Sequence, residues 1–157
     1  MLGIDLATVL AHLAQLAAAY LLALPIGWER EARQRARNAG LRTFPLVAVA
    51  SCGFVLVGRT ALGGDDAAMS RVLYGLMTGI GFIGGGAILK RDARVHGTAT
   101  AASIWTTGAV GGAVGFGRYE IALALSAITF ATLRLSPPLK REVTDGAPAE
   151  GAADDAV

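Results

Sequence analysis

From Val72 to Leu89 the chain reads VLYGLMTGIGFIGGGAIL, 18 residues without a charge, six of them glycine. In water such a helix would hardly form, because each interior glycine costs about 1 kcal/mol relative to alanine. In a bilayer the backbone must close its own hydrogen bonds, and glycine lets neighbouring helices approach closely. The segment therefore predicts the packed centre of a small membrane protein. Composition agrees: 54% of the 157 residues are hydrophobic and 17% charged, against roughly 25% charged in soluble domains. The mean hydropathy is +0.52.

Five apolar segments follow one another, roughly Leu6–Trp28, Phe44–Leu62, Val72–Leu89, Thr98–Phe116 and Tyr119–Leu135. They predict an all-α membrane protein, a glycine-rich bundle of five transmembrane helices, or four if the last segment does not span. The run from Leu6 to Ile26 is 21 residues long, about 31 Å as a helix and enough to cross the hydrocarbon core. The first 29 residues contain no Lys or Arg, so the positive start of a cleavable signal peptide is missing. The fourth segment, rich in Gly, Ala and Thr, is expected to cross only if packed among other helices. Arg134 interrupts the fifth and should snorkel to the interface. Residues 1–135 form the expected transmembrane domain. Residues 136–157, opening on Pro137-Pro138 and continuing in Gly, Ala, Pro and acid, form an expected disordered cytoplasmic tail.

The loop charges set a direction. Arg30, Arg33, Arg35, Arg37, Arg42, Lys90, Arg91, Arg94, Arg134, Lys140 and Arg141, eleven of the 14 basic residues, fall on one side of the five-helix arrangement. Arg59, Arg71 and Arg118 fall on the other. The asymmetry predicts an outside N-terminus and a cytoplasmic C-terminus. The net charge of +2 is read as orientation, with the bilayer as partner and no nucleic acid. Trp28, Tyr74 and Tyr119 sit near predicted interfaces, as anchors do.

Gly79, Gly81 and Gly84 formally match G-x-G-x-x-G, but the strand–turn–helix context and acidic partner of a dinucleotide site are absent. The pairs Gly75/Gly79, Gly81/Gly85 and Gly108/Gly112 fit small-xxx-small helix packing instead, with Gly84 and Gly86 as further packing positions. Two polar stripes keep helical spacing: Asp5, Thr8, His12 and Gln15 on the first segment, and His96, Thr100, Ser103 and Thr107 on the fourth. They suit either interhelical hydrogen bonding or a hydrated path. The lone Cys52 excludes an internal disulfide and reads as a small buried contact residue. No nucleophile–base pair, metal-ligand cluster or phosphate loop is present, so no catalytic residue, metal site or cofactor is expected. Magnesium prefers hard oxygen ligands, yet Asp5, Glu29, Asp92 and Glu120 all fall at predicted segment ends. The basic connection is the remaining feature. Glu29 and Arg33 are spaced for a helical ion pair, Asn38-Ala39-Gly40 reads as a turn, and Pro45 suits the first turn of the next helix. Glu29, Arg30 and Arg42 are the first functional-surface candidates, with Thr100 and Trp105 as candidates on the interior surface.

The blocks Gly27-Trp28-Glu29-Arg30-Glu31, Ala39-Gly40-Leu41-Arg42-Thr43, Gly79 through Gly86, and Gly97 through Trp105 together resemble the MgtC/SapB membrane family, in that family's order and across roughly residues 6–135. The resemblance implies a multi-helix bacterial inner-membrane protein tied to magnesium homeostasis, acid stress and, in pathogens, virulence. It implies a non-enzymatic regulator that contacts other membrane proteins, the F-type ATP synthase among them, and itself as a homo-oligomer. A small transporter or channel for Mg²⁺ or protons is the alternative. Two departures stand out. Phe44 occupies a position where the family often has His, and many members carry a cytoplasmic ACT-like domain where a short tail is expected here.

Overall fold

The computed structural model describes residues 5–33, 39–91 and 94–145. Among these residues lie five helices: α1 (Leu6–Arg33), α2 (Thr43–Ala61), α3 (Asp66–Gly86), α4 (Thr98–Gly115) and α5 (Tyr119–Asp145). Between α3 and α4 two short strands, β1 (Leu89–Arg91) and β2 (Arg94–His96), form an antiparallel hairpin. The bundle is the all-α membrane architecture that the apolar segments predict. By length and composition α1, α2 and α3 are apolar enough to cross a membrane.

Contacts sort the helix ends into two groups. At one end, Gln15 near the start of α1 and Arg59 near the end of α2 both donate to carbonyls at the end of α4, those of Val114 and Gly115. At the other, the last turns of α1 meet the start of α2, the start of α4 and Arg134 of α5. This alternation is the one the loop charges predict: Arg30, Arg42, Lys90 and Arg134 share the second end.

Helix α4 is the hub, packed against all four other helices. Its polar composition, with Thr100, Ser103 and Thr107 buried, is tolerable because it is shielded from lipid by the rest of the bundle. Ser103 and Thr107 donate to carbonyls four residues back, at 2.6 and 2.8 Å, so those hydroxyls are satisfied within the helix. The core beside it is built from small residues, among them Ala19, Ala23, Ala48, Cys52, Val110, Val114 and Ala122. A second cluster gathers Ile26, Phe44, Val47, Ile80 and Ile104. Phe44 is fully buried there as an apolar core residue.

The observed elements depart from the predicted ones in several places: α3 runs Asp66–Gly86 against the expected Val72–Leu89, and the hairpin that follows it was not predicted. Helix α1 runs past Trp28 through Glu29 and Arg30, since Glu, Arg and Ala are strong helix formers. Pro25 lies inside it and has no N–H for the ladder. Ser126 of α5 donates to the neighbouring Leu22 carbonyl at 2.6 Å, a side-chain bond across to α1 at the proline turn. Helix α5 continues beyond the boundary expected at Leu135 to Asp145, and the rest of the expected tail, 146–157, lies outside the described residues. His96, placed by spacing on the stripe of the fourth segment, sits instead on β2. Gly97 intervenes with φ +88°, and a Cβ there would stand 1.9 Å from the Ala87 carbonyl oxygen. Only glycine lets the hairpin close onto the start of α4.

Candidate functional site

One turn at the end of α1 reaches three other elements. Successive helical residues point about 100° apart, so Gly27, Glu29, Arg30 and Glu31 face different neighbours. Gly27 lies against the backbone of Gly40 and Leu41, where an added Cβ would stand 3.3 Å from each. The Glu31 carboxylate accepts the Leu41 N–H at 2.8 Å. A Cβ on Gly40 would fall 2.6 Å from that carboxylate oxygen. The Gly27, Glu31 and Gly40 positions thus form a joint that sets where α2 begins. Thr43 and Phe44 both donate to the Gly40 carbonyl, at 3.0 and 3.2 Å.

Glu29 faces inward and is only 5% exposed. Its Oε2 accepts from the Arg134 guanidinium of α5 at 3.3 Å, and the Arg134 side chain is 63% exposed. The Arg134 side chain is thus largely exposed, while its head closes on a buried carboxylate. Arg30 donates a short hydrogen bond to the Thr100 hydroxyl on α4, and its buried Nε has no hydrogen-bond partner among the described residues. Burying a carboxylate demands a partner and hydrogen bonds; here one charge stays inside while its partner remains wet. The result is an ionic joint that fixes α1 against α4 and α5 at one end of the bundle.

Three of the sequence-selected residues, Glu29, Arg30 and Thr100, come together at this joint. Arg42 is exposed at the start of α2 and gives that helix no side-chain cap. Trp105 lies five residues beyond Thr100, on the side of α4 that borders an apolar groove against α3, with Leu73, Met77 and Ile80. Asp92 and the remainder of the basic connection, residues 34–38, lie outside the described residues. Glu31, Arg134 and Ser126 were not singled out as site residues by the pattern. A usable signal existed for Arg134: a charge breaking an apolar segment at the same end as an inward-facing acid.

The glycine positions divide. Gly84 packs against the Ala101 backbone, where a Cβ would stand 3.2 Å from its oxygen, and Gly108 packs against the Ile80 side chain. At Gly75, Gly79, Gly81, Gly85, Gly86 and Gly112 an added Cβ would meet nothing within 4 Å among the described residues. Helix α4 meets α2 through Gly111 and Gly115 instead, the other register of the same GAVGGAVG run. A Cβ at Gly111 would stand 2.0 Å from the Ala48 oxygen, and one at Gly115 2.7 Å from the Val55 Cβ.

At the far end the first polar stripe is structural. Asp5 receives the Thr8 hydroxyl and the N–H groups of Ala7 and Thr8, which hold its carboxyl below the usual carboxylate range. Gln15 ties α1 to the Val114 carbonyl at 3.1 Å. Cys52 is a free, buried core residue. Among the described residues no group of three or more His, Cys, Asp or Glu is placed to hold a metal ion.

Comparison with known proteins agrees over most of the chain. The model of the MgtC family matches residues 16–142. The Brucella abortus (strain 2308) "Protein MgtC" is 41% identical over 131 residues, covering 83% of this chain and 53% of that protein. The Escherichia coli (strain K12) "Putative magnesium transporter YhiD" is 38% identical over 116 residues, covering 70% and 53%. The Synechococcus elongatus "Protein SrpB" is 41% identical over 114 residues, covering 64% and 63%. The chain thus spans about half the length of the first two relatives. No solved structure matches.

Proposed function

The chain belongs to the MgtC family, and from that membership we propose that it is a non-enzymatic membrane regulator, tied to magnesium limitation and acid stress, acting through contacts with other membrane proteins. The observation that carries this reading is helix α3. It is apolar enough to span, yet Ile80 and Gly84 are its only buried residues among those described. Five of its six glycines from Gly75 to Gly86 present open backbone, and Phe82 is 86% exposed. Glycine at those positions costs helix propensity, and an added Cβ there would meet nothing among the described residues. A second transmembrane helix lying on that face, from another copy or from a larger complex such as the F-type ATP synthase, would put the open backbone to use. The bacterial inner membrane, with the Glu29 end in the cytoplasm, is the setting that the loop charges support.

Gly81→Leu tests the reading, because a Cβ at Gly81 meets nothing within 4 Å among the described residues. The variant should fold and reach the membrane as the wild type does, while the complex recovered in mild detergent falls apart. Recovery of the same complex, or of no complex from either protein, would count against regulation by contact.

Transport of Mg²⁺ or protons is the second reading, favoured by the buried Glu29 and by the name that the Escherichia coli relative carries. A single carboxylate paired with arginine is a poor Mg²⁺ cage, and the buried hydroxyls of Ser103 and Thr107 bond to their own helix. Flux of Mg²⁺ and protons into proteoliposomes, wild type against Glu29→Ala, separates the two. Flux that the substitution abolishes makes the protein a transporter; tight, inert vesicles leave regulation standing.

A further inference from the structure

Where α2 ends and α3 begins, at the end of the bundle away from Glu29, the helices enclose a cavity of about 340 Å³. Both helices are long and apolar enough to span, so the turn joining them lies at the membrane–water boundary. Three charged residues line the cavity: Arg59 from the last turn of α2, and Asp65 and Asp66 at the start of α3. They do not neutralise one another, and none of the three makes an ion pair among the described residues. Two are tethered apart. Arg59 donates to the Gly115 carbonyl at 2.9 Å, which leaves further guanidinium donors. Asp65 accepts the Ala68 N–H at 3.0 Å as the N-cap of α3. The Asp66 carboxylate accepts no hydrogen bond among the described residues.

The walls change character toward the membrane interior. Leu62, Met69 and Phe116 complete the lining. Phe116 also borders the apolar groove of about 210 Å³ between α3 and α4 that runs past Leu73, Met77 and Trp105. A charged chamber at the boundary adjoining an apolar groove along two helices has the polarity of a phospholipid, head in one and acyl chain in the other. The charges then choose the headgroup. Arginine suits a phosphate, and two carboxylates suit a cation, as do the carbonyl ends of α2 and α4 that meet here. Phosphatidylglycerol offers only the anion. The trimethylammonium of phosphatidylcholine has no N–H to give a carboxylate, whereas a primary ammonium does.

We propose that this cavity binds a phospholipid headgroup carrying both phosphate and primary ammonium, the chemistry of phosphatidylethanolamine. Arg59 takes the phosphate, Asp65 and Asp66 take the ammonium, and an acyl chain lies in the α3–α4 groove. The proposal stands apart from the regulator reading, since it requires neither a protein partner nor transport.

The test uses the full chain in nanodiscs of equal phosphatidylethanolamine, phosphatidylglycerol and phosphatidylcholine, released into mild detergent, with retained lipid identified by native mass spectrometry. Phosphatidylethanolamine should be retained about fivefold more often than either other lipid. Amides of 62–69 should exchange more slowly in discs containing it than in phosphatidylcholine alone. Asp65→Asn/Asp66→Asn keeps a capping side chain for α3 and should abolish both effects with the thermal midpoint unchanged. Arg59→Gln should lower phosphatidylethanolamine retention about fivefold. Equal retention of the three lipids by the wild type overturns the proposal, and so does a preference that survives the double substitution. Equal protection of 62–69 by glycerophosphoethanolamine in phosphatidylcholine discs also overturns it, assigning the cavity to a soluble zwitterion.

Discussion

Helices α3 and α4 draw on the same small residues and use them in opposite ways. In α4 the glycines at 108, 111 and 115 are where other helices come closest, and Gly111 admits the Ala48 carbonyl itself. In α3, five glycines of the apolar run face open space. Polar ties divide the same way. Arg30, Gln15 and Arg59 all donate into α4 from other helices, whereas the hydroxyls of Ser70 and Thr78 on α3 bond within their own helix. A glycine-dense span is therefore not in itself evidence of a packed centre. It marks backbone available for close approach, and the partner can be inside the chain or outside it.

The largest effect expected from this contrast is at Gly111. Adding one methyl group in Gly111→Ala would place a carbon 2.0 Å from a backbone oxygen. A backbone atom cannot rotate away as a side chain can, so α2 and α4 must separate. A loss of at least about 3 kcal/mol is expected, read as a collapse of folded yield and of the thermal midpoint in detergent. A stable Gly111→Ala protein would break the comparison at its strongest point.

Next is the polar joint that positions the start of α4. Thr100→Val keeps the shape and removes the acceptor of the Arg30 guanidinium. A hydrogen bond to a charged group contributes about 1.5–3 kcal/mol, and Arg30, which is partly exposed, can regain some of that from water. The thermal midpoint should fall, by less than in Gly111→Ala, and hydrogen exchange should quicken in the first turns of α4 but not in α3. Uniform quickening along both helices would mean that the joint supports the whole bundle rather than α4.

These contrasts show what the linear pattern can and cannot reveal. Apolar runs and loop charges were enough for the helix count and the alternation of ends, because each depends on local composition or on a charge rule, whereas the meeting of Arg30 with Thr100 needed the fold. The expectation that α4 must be surrounded was likewise legible from its threonines. Choosing between Gly108/Gly112 and Gly111/Gly115 was not, since both have the same spacing and only the facing helix decides between them. The open side of α3 was invisible for the same reason. The pairing of Glu29 with Arg134 spans 105 positions and needs the tertiary fold. The hairpin escaped because its strands are only three residues each and their pattern is charged rather than alternating.

A smaller effect is expected at Gly108, which separates side-chain from backbone crowding. The added carbon would stand 2.2 Å from the Ile80 Cδ1, the far end of a side chain that can change rotamer. Gly108→Ala should cost about 1 kcal/mol, and Ile80→Val or Ile80→Ala in the same protein should recover much of it. Without such recovery, the crowding must involve the α3 backbone, and α3 would be more tightly bound to α4 than the open grooves beside it indicate.

The smallest effect is expected on the open face of α3, and its smallness is informative. In Gly79→Ala the new methyl group meets no atom within 4 Å among the described residues, so the monomer should feel mainly the intrinsic helix preference, which favours alanine. The thermal midpoint of the isolated protein in detergent should stay level or rise slightly, a change within about 0.5 kcal/mol. A fall comparable to that of Gly111→Ala would mean that α3 already packs closely within the chain, and the distinction between the two helices would be lost. If the monomer is indifferent while larger substituents at the neighbouring Gly81 dissolve a complex, then glycine on this face serves a contact made outside the chain. Stability measured in the monomer and association measured in the membrane then report on different helices, α4 and α3 respectively.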